Sequence, residues 1–125
     1  MGKVTGTIVG TVVAAALLVA PAAYAKDGDV RVTGTCSGAS TSKLKLSRED
    51  RGVELEFEVD QNRNGVRWNV VLLRNGSRLA KRVAVTRAPS GSFETRLVIA
   101  SPAGARFVAR ATSPSGEVCT ARASL

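Results

Sequence analysis

Residues 53–60 read Val53-Glu54-Leu55-Glu56-Phe57-Glu58-Val59-Asp60, an unbroken alternation of apolar and acidic side chains. Successive side chains of a β-strand point to opposite faces, so this alternation predicts a strand with one buried and one solvated face. An amphipathic helix would need a period of about 3.6 residues, and no stretch after residue 25 has that period. The chain is therefore predicted to fold into β-sheets alone.

Turn sequences divide the rest of the chain into short segments. They are Arg51-Gly52, Asn64-Gly65, Asn75-Gly76, Ser90-Gly91, Pro102-Ala103-Gly104 and Pro114-Ser115-Gly116. The segments around them predict strands at 30–36, 43–48, 53–60, 66–74, 79–87, 93–99, 106–112 and 118–123. Short strands at intervals of about 8–12 residues are typical of an antiparallel two-sheet sandwich.

The first 25 residues have the layout of a secretory signal peptide. Lys3 supplies a positive charge, residues 8–20 are uncharged and almost wholly apolar, and Ala23-Tyr24-Ala25 is a small-x-small cleavage pattern. We expect cleavage between Ala25 and Lys26, which leaves one secreted domain over 26–125 with no transmembrane segment. A retained membrane anchor is the alternative, but the apolar run is shorter than the roughly 18 residues that a spanning helix needs.

The two cysteines, Cys36 and Cys119, are expected to form a disulfide in the oxidising environment outside the cell. The bond would join the first predicted strand to the last and stabilise the fold by up to roughly 4.5 kcal/mol. Free reactive thiols are the alternative. The chain contains no histidine and no predicted helix N-terminus to activate a thiol, which favours the disulfide.

Several motifs resemble known sandwich families. Arg67-Trp68-Asn69-Val70, followed by Asn75-Gly76, is similar to strand C and the turn after it in immunoglobulin-like and fibronectin-III-like domains, and residues 107–119 look like their final hairpin. The chain also resembles small secreted single-domain sandwiches of actinobacteria. The matching motifs are Cys36-Ser37-Gly38, Gly65-Val66-Arg67-Trp68, Ser90-Gly91-Ser92-Phe93 and Gly116-Glu117-Val118-Cys119. The resemblance implies an immunoglobulin-like sandwich of seven or eight strands and an extracellular location, and it implies no particular activity.

On that topology, one sheet would contain the strands 43–48, 53–60 and 93–99. The other would contain 30–36, 118–123, 106–112, 66–74 and 79–87. The inward positions would form a core centred on Trp68. They are Leu44, Leu46, Val53, Leu55, Phe57, Val59, Leu97, Ile99, Val32, Trp68, Val70, Leu72, Val83, Val85, Phe107, Ala109 and Ala121.

The outward residues of the two sheets differ in charge. In the first sheet, Lys45 would lie opposite Glu56 and Lys43 opposite Glu58, with Arg96 as a further partner, so the acidic strand would be largely neutralised. In the second sheet, the outward positions carry four arginines, three aliphatic residues and no acid. They are Arg67, Asn69, Val71, Leu73, Arg106, Val108, Arg110, Thr120 and Arg122. This composition is typical of a binding face; a merely solubilising surface is the alternative.

The chain has 18 Lys and Arg residues against 10 Asp and Glu, a net charge of +8. Loss of Lys3 with the signal peptide leaves +7. Outside the cell this charge favours anionic wall polymers or proteins as partners, not nucleic acid. One Trp and three Phe also leave too few exposed rings for base stacking.

Motifs that could carry chemistry are weak. Asp60, Asn62 and Asn64 match the opening of a calcium-binding loop, but Val71 stands where such a loop needs a glutamate, and a turn explains the same residues. Cys36 lies in a Gly-x-Cys-x-Gly motif, yet without histidine there is no base for a nucleophile. We expect no metal, no cofactor and no catalytic residue.

These observations together predict a monomeric, secreted, non-enzymatic binding or adhesion module. It would engage an anionic cell-wall polymer or a protein through the arginine-rich sheet. A secreted protease inhibitor, a small-ligand carrier and a purely structural envelope protein are the alternatives.

Overall fold

The computed structural model describes residues 28–50 and 52–125. The predicted signal peptide and its cleavage site at Ala25 and Lys26 lie outside these residues. Nine strands run through the described part of the chain. They are β1 (Val30–Thr33), β2 (Thr35–Cys36), β3 (Thr41–Glu49), β4 (Gly52–Asp60), β5 (Arg67–Arg74), β6 (Ser77–Val85), β7 (Ser92–Ala100), β8 (Arg106–Thr112) and β9 (Val118–Ser124).

The strands form two sheets, which confirms the prediction of an all-β, immunoglobulin-like antiparallel sandwich. One sheet has the order β1-β3-β4-β7, and the other has the order β2-β9-β8-β5-β6. All neighbouring strands are antiparallel. The described residues include no helix with the length and apolar character needed to cross a membrane.

The β3–β4 hairpin has the register that the charge pattern predicted. Lys45 lies opposite Glu56, Lys43 lies opposite Glu58, and the strands are joined by a two-residue loop after Glu49. Asp50 has a φ of 41°, a left-handed conformation that aspartate tolerates better than most residues. The short loop leaves little freedom for slippage, so the apolar side chains of both strands face the same side.

The prediction of one continuous strand over 30–36 is wrong. It divides at Gly34: β1 pairs with β3 in the four-stranded sheet, and β2 pairs with β9 in the five-stranded sheet. The Gly34 N–H donates to the carbonyl oxygen of Ser42 at 2.9 Å. A Cβ atom at Gly34 would lie 2.6 Å from the carbonyl oxygen of Thr120 and still closer to the Ser42 hydroxyl. The chain can change sheets here because glycine has no side chain to collide.

The predicted inward positions of the strand 79–87 are also wrong. Val83 is 52% exposed and lies opposite Asn69, which places it on the outer face of the sheet. Val85 lies opposite Arg67 and is on the same outer face. A β-bulge between Leu72 and Leu73 shifts the pairing. One extra residue in a strand exchanges its two faces. The inner side of β6 is therefore formed by Ala80, Arg82 and Ala84.

Two inward-reaching arginines cover the exposed edge of β7. The Arg82 guanidinium donates to the carbonyl oxygen of Arg96, and Arg74 Nη1 donates to that of Ala100 at 2.9 Å. Edge strands present unpaired backbone groups that invite association with other strands. These two bonds occupy part of that edge and hold the two sheets together beside β6.

The core lies between the sheets and is centred on aromatic side chains. Trp68 is fully buried, and its ring centroid lies 6.1 Å from that of Phe93, which in turn makes an edge contact of 6.4 Å with Phe57. The indole N–H of Trp68 donates to Gln61 Oε1 at 3.1 Å, so its one polar atom is satisfied. Leu97 and Ile99, predicted as core, are only partly buried.

Substitution Gly34→Ala should destabilise the fold by about 1–3 kcal/mol, because the added methyl must displace the Thr120 backbone or Ser42. Urea unfolding followed by Trp68 fluorescence measures the change. Thr33→Ala is the control, since Thr33 is exposed on the neighbouring strand. Equal stabilities of the two variants would contradict the role given to Gly34.

Candidate functional site

The outer surface of the five-stranded sheet, the arginine face, is the candidate site. The strand registers place all nine residues predicted to point outward from this sheet on it. The face also includes four residues of β6 that the sequence analysis did not assign to it. Its members are Arg67, Asn69, Val71 and Leu73 of β5, Arg78, Lys81, Val83 and Val85 of β6, Arg106, Val108 and Arg110 of β8, and Thr120 and Arg122 of β9.

Aliphatic and basic residues lie beside one another across the strands of this face. Val71 lies opposite Arg110, and Leu73 lies opposite Val108, which in turn lies opposite Arg122. The three aliphatic side chains are partly buried, whereas Arg110 and Arg122 are exposed. The guanidinium groups therefore surround a small apolar centre, and the aliphatic stems of the arginines can extend it.

Six basic residues stand on the arginine face and no acid accompanies them. They are Arg67, Arg78, Lys81, Arg106, Arg110 and Arg122. Over 28–50 and 52–125, none of these six lies within 4.0 Å of a carboxylate. The positive charge of this face is therefore not neutralised within the described protein.

On the four-stranded sheet, the charged side chains form ion pairs with one another. Glu56 lies 3.2 Å from Lys45 Nζ through one carboxylate oxygen and 3.2 Å from Arg96 Nη2 through the other. Arg96 also donates from Nε to Glu94 at 3.2 Å. This hydrogen bond, with the attraction of Glu56, raises the pKa of Arg96 above its usual value. The predicted pairing of the acidic strand with Lys45 and Arg96 is confirmed for Glu54 and Glu56. Lys43 lies opposite Glu58 as predicted, but within the described residues no ion pair joins them.

A depression of about 600 Å³ opens at one end of the arginine face. The β5–β6 turn forms one side of it: the Asn75 N–H donates to the Arg106 carbonyl oxygen at 2.8 Å, and Asn75 Oδ1 accepts from the Arg106 N–H at 2.9 Å. Arg106, Val108, Arg122 and Ser124 line the rest. This depression was not predicted, because it depends on how three separate strands end beside one another.

The proposed calcium-loop residues form a turn. Asp60 Oδ1 accepts the backbone N–H of Asn62 at 3.0 Å, and Asn62 has a φ of 58°. The loop is further held by the backbone of Gly91, whose carbonyl oxygen accepts the Gln61 N–H at 3.0 Å. Turn formation therefore accounts for Asp60 and Asn62 without a metal ion.

The predicted disulfide between Cys36 and Cys119 is confirmed, and it joins β2 to β9 at directly opposed positions. Of the residues that the structure describes, one cluster has three potential metal ligands: these two cysteines and Glu117. Both sulfur atoms are committed to the disulfide.

Glu117 is a structural residue that sequence reasoning missed. Its carboxylate accepts from the Ser40 backbone N–H at 2.9 Å and from the Ser40 hydroxyl at 2.8 Å. Beside it, Ser37 and Val118 exchange hydrogen bonds across the strand ends at 2.9 Å. The predicted disulfide could have revealed this clamp. A bond between Cys36 and Cys119 brings Glu117, two residues before Cys119, close to the segment that follows Cys36.

No protein-family model, curated protein or solved structure matches this chain. The resemblance to small secreted sandwiches therefore stays a prediction from its motifs.

Substitution Glu117→Ala should lower the free energy of unfolding by about 1–3 kcal/mol, because it leaves the Ser40 N–H and hydroxyl without their charged acceptor. Urea unfolding under oxidising conditions keeps the disulfide intact in every sample. Glu58→Ala, a carboxylate on the outer side of β4, should change stability by less than about 0.5 kcal/mol. Equal losses in both variants would show that Glu117 does not hold the strand ends together.

Proposed function

We propose that this protein is a secreted, non-enzymatic binding or adhesion module whose arginine face engages an anionic polymer or protein. The observation that carries the proposal is the group of six basic side chains on one sheet, without an acid on the face and without a carboxylate partner in the described chain. The disulfide is compatible with an extracellular location.

Like charges on one face cost free energy through mutual repulsion, and an anionic partner relieves that repulsion on binding. The opposite sheet shows the alternative arrangement, in which Glu56 contacts both Lys45 and Arg96. Charge alone would favour a loose association. The partly buried Val71, Leu73 and Val108 add apolar surface that a partner can cover, and arginine beside such surface is common in binding sites.

The carrier alternative has less support from the packing. A small-ligand carrier of this size would hold its cargo between the sheets or in a deep cleft. Here the space between the sheets is occupied by Trp68, Phe57, Phe93 and Phe107, all of them buried. The arginine face, in contrast, is open to solvent along its length.

The test is binding to purified cell walls and to soluble polyanions over a range of salt concentrations. Exchange of Arg67, Arg106, Arg110 and Arg122 for Gln should weaken binding about 10²–10³-fold at low salt, at about 1 kcal/mol per basic residue. Binding of the unaltered protein should also weaken as salt rises, because exposed charges are screened over about 10 Å at 0.1 M.

A matched control separates the arginine face from net charge. Exchange of Arg31, Lys43, Arg63 and Arg87 for Gln removes the same number of positive charges from exposed positions outside that face. This variant should keep most of its affinity. Equal weakening in both variants, or binding that does not respond to salt, would contradict the proposed function.

A further inference from the structure

The depression between the β5–β6 turn and the ends of β8 and β9 presents hydrogen-bond donors from several elements. We infer that it is a subsite for a phosphoryl group of a phosphodiester-linked polyol polymer, an inference that rests on the proposed function of the arginine face. The residues that carry it are Asn75, Arg106, Val108, Arg122 and Ser124.

Arg106 and Arg122 are placed to act on one group. Arg106 lies opposite Ser124, and Arg122 lies two residues earlier on the same strand, opposite Val108. Diagonal neighbours of this kind are about 7–8 Å apart at their backbones, which is well within the reach of two arginine side chains. Both side chains are exposed, and neither has a carboxylate within 4.0 Å in the described chain.

The turn supplies a third donor whose orientation is determined by its hydrogen bond. Asn75 Oδ1 is occupied as acceptor of the Arg106 N–H, so the amide nitrogen of the same side chain remains free to donate. Asn75 and Gly76 have φ values of 48° and 86°, the conformation of a tight two-residue hairpin turn, which holds this amide at the rim. The Ser124 hydroxyl can donate from the opposite side.

This donor set fits a phosphoryl group better than a carboxylate. Each guanidinium presents paired N–H groups that bind two oxygens at once. A carboxylate holds its two oxygens in one plane and is satisfied by one such pair. The tetrahedral phosphorus of a phosphodiester directs two charged and two ester oxygens in four directions, so a second guanidinium and the amide can approach it from other sides. Val108, which also lines the depression, offers apolar contact to the carbon atoms next to the phosphate.

A repeating polymer is favoured over a single phosphate because the basic residues continue along the strands. Arg110 lies opposite Thr120, so it is also a diagonal neighbour of Arg122. Arg106, Arg122 and Arg110 therefore form a zigzag with steps of about 7–8 Å. Each step could meet one charge of a linear polyanion.

A polyol phosphate is favoured over nucleic acid because the described residues offer no stacking surface. Trp68, Phe57, Phe93 and Phe107 are all buried in the core. Proteins that bind single-stranded nucleic acid stack bases on exposed aromatic rings, each contributing about 1–3 kcal/mol. The arginine face has charge and aliphatic surface only.

The experiment is a titration of the ¹⁵N-labelled full chain, followed by the backbone amide signals of Asn75, Gly76, Arg106 and Arg122. The probes are inorganic phosphate, glycerol 3-phosphate, acetate, purified poly(glycerol phosphate), and a single-stranded oligonucleotide of equal charge. We expect shifts centred on the depression, tighter binding of phosphate than of acetate, and tighter binding of poly(glycerol phosphate) than of the oligonucleotide.

Arg122→Ala and Arg106→Ala should each weaken the binding of glycerol 3-phosphate roughly tenfold. Arg31→Ala removes the same charge from an exposed position on β1, in the other sheet and outside the arginine face, so its effect should be less than about twofold. Arg122→Lys should recover only part of the affinity, because lysine cannot bind two oxygens in a planar pair.

Equal effects of Arg31→Ala and Arg122→Ala, absence of localised shifts, or tighter binding of the oligonucleotide would overturn the subsite. If the polymer still bound in a salt-dependent way under those results, the proposed function would stand without the subsite. If the unaltered chain bound no polyanion at any salt concentration, both proposals would fall together.

Discussion

The structure depends on the burial of the apolar side of β4 in the core between the two sheets. Val53, Leu55, Phe57 and Val59 are fully buried and face the sheet that carries Trp68. Each such side chain contributes about 1.5–3 kcal/mol when it leaves water, which makes this strand a large share of the stability of so small a domain. The same alternation turns Glu54, Glu56 and Glu58 outward, so one pattern determines both the core and the charge of the opposite surface.

The two outer surfaces differ because their charges have different neighbours. On the four-stranded sheet, Lys45 and Arg96 stand beside Glu56 on the adjacent strands, and the charges satisfy one another at 3.2 Å. On the five-stranded sheet, the basic residues of the arginine face have Val, Leu, Ser or Thr as cross-strand neighbours. Attraction for an external anion is therefore concentrated on the arginine face.

The clamp at the strand ends links stability to this surface. The disulfide joins Cys36 to Cys119 on β9, and Glu117, two residues earlier, receives two hydrogen bonds from Ser40. Both tie the start of β9 to the segment that contains β2 and Ser40. Arg122 lies on the same strand, three residues after Cys119, and its place in the depression follows from its pairing with Val108 of β8.

The sequence by itself determined the elements that local pattern controls. Alternation specified β3 and β4, the short loop after Glu49 specified their register, and the paired cysteines specified which ends of the chain meet. The tertiary structure decided what depends on distant neighbours. Gly34 divides the first strand because Thr120 lies against it, the bulge at Leu73 turns Val83 outward, and Arg106 meets Arg122 only through the register of β8 with β9. These contacts join residues far apart in the chain. Periodicity indicates which face of a strand a residue occupies, but it does not indicate which other strand or side chain packs against that face.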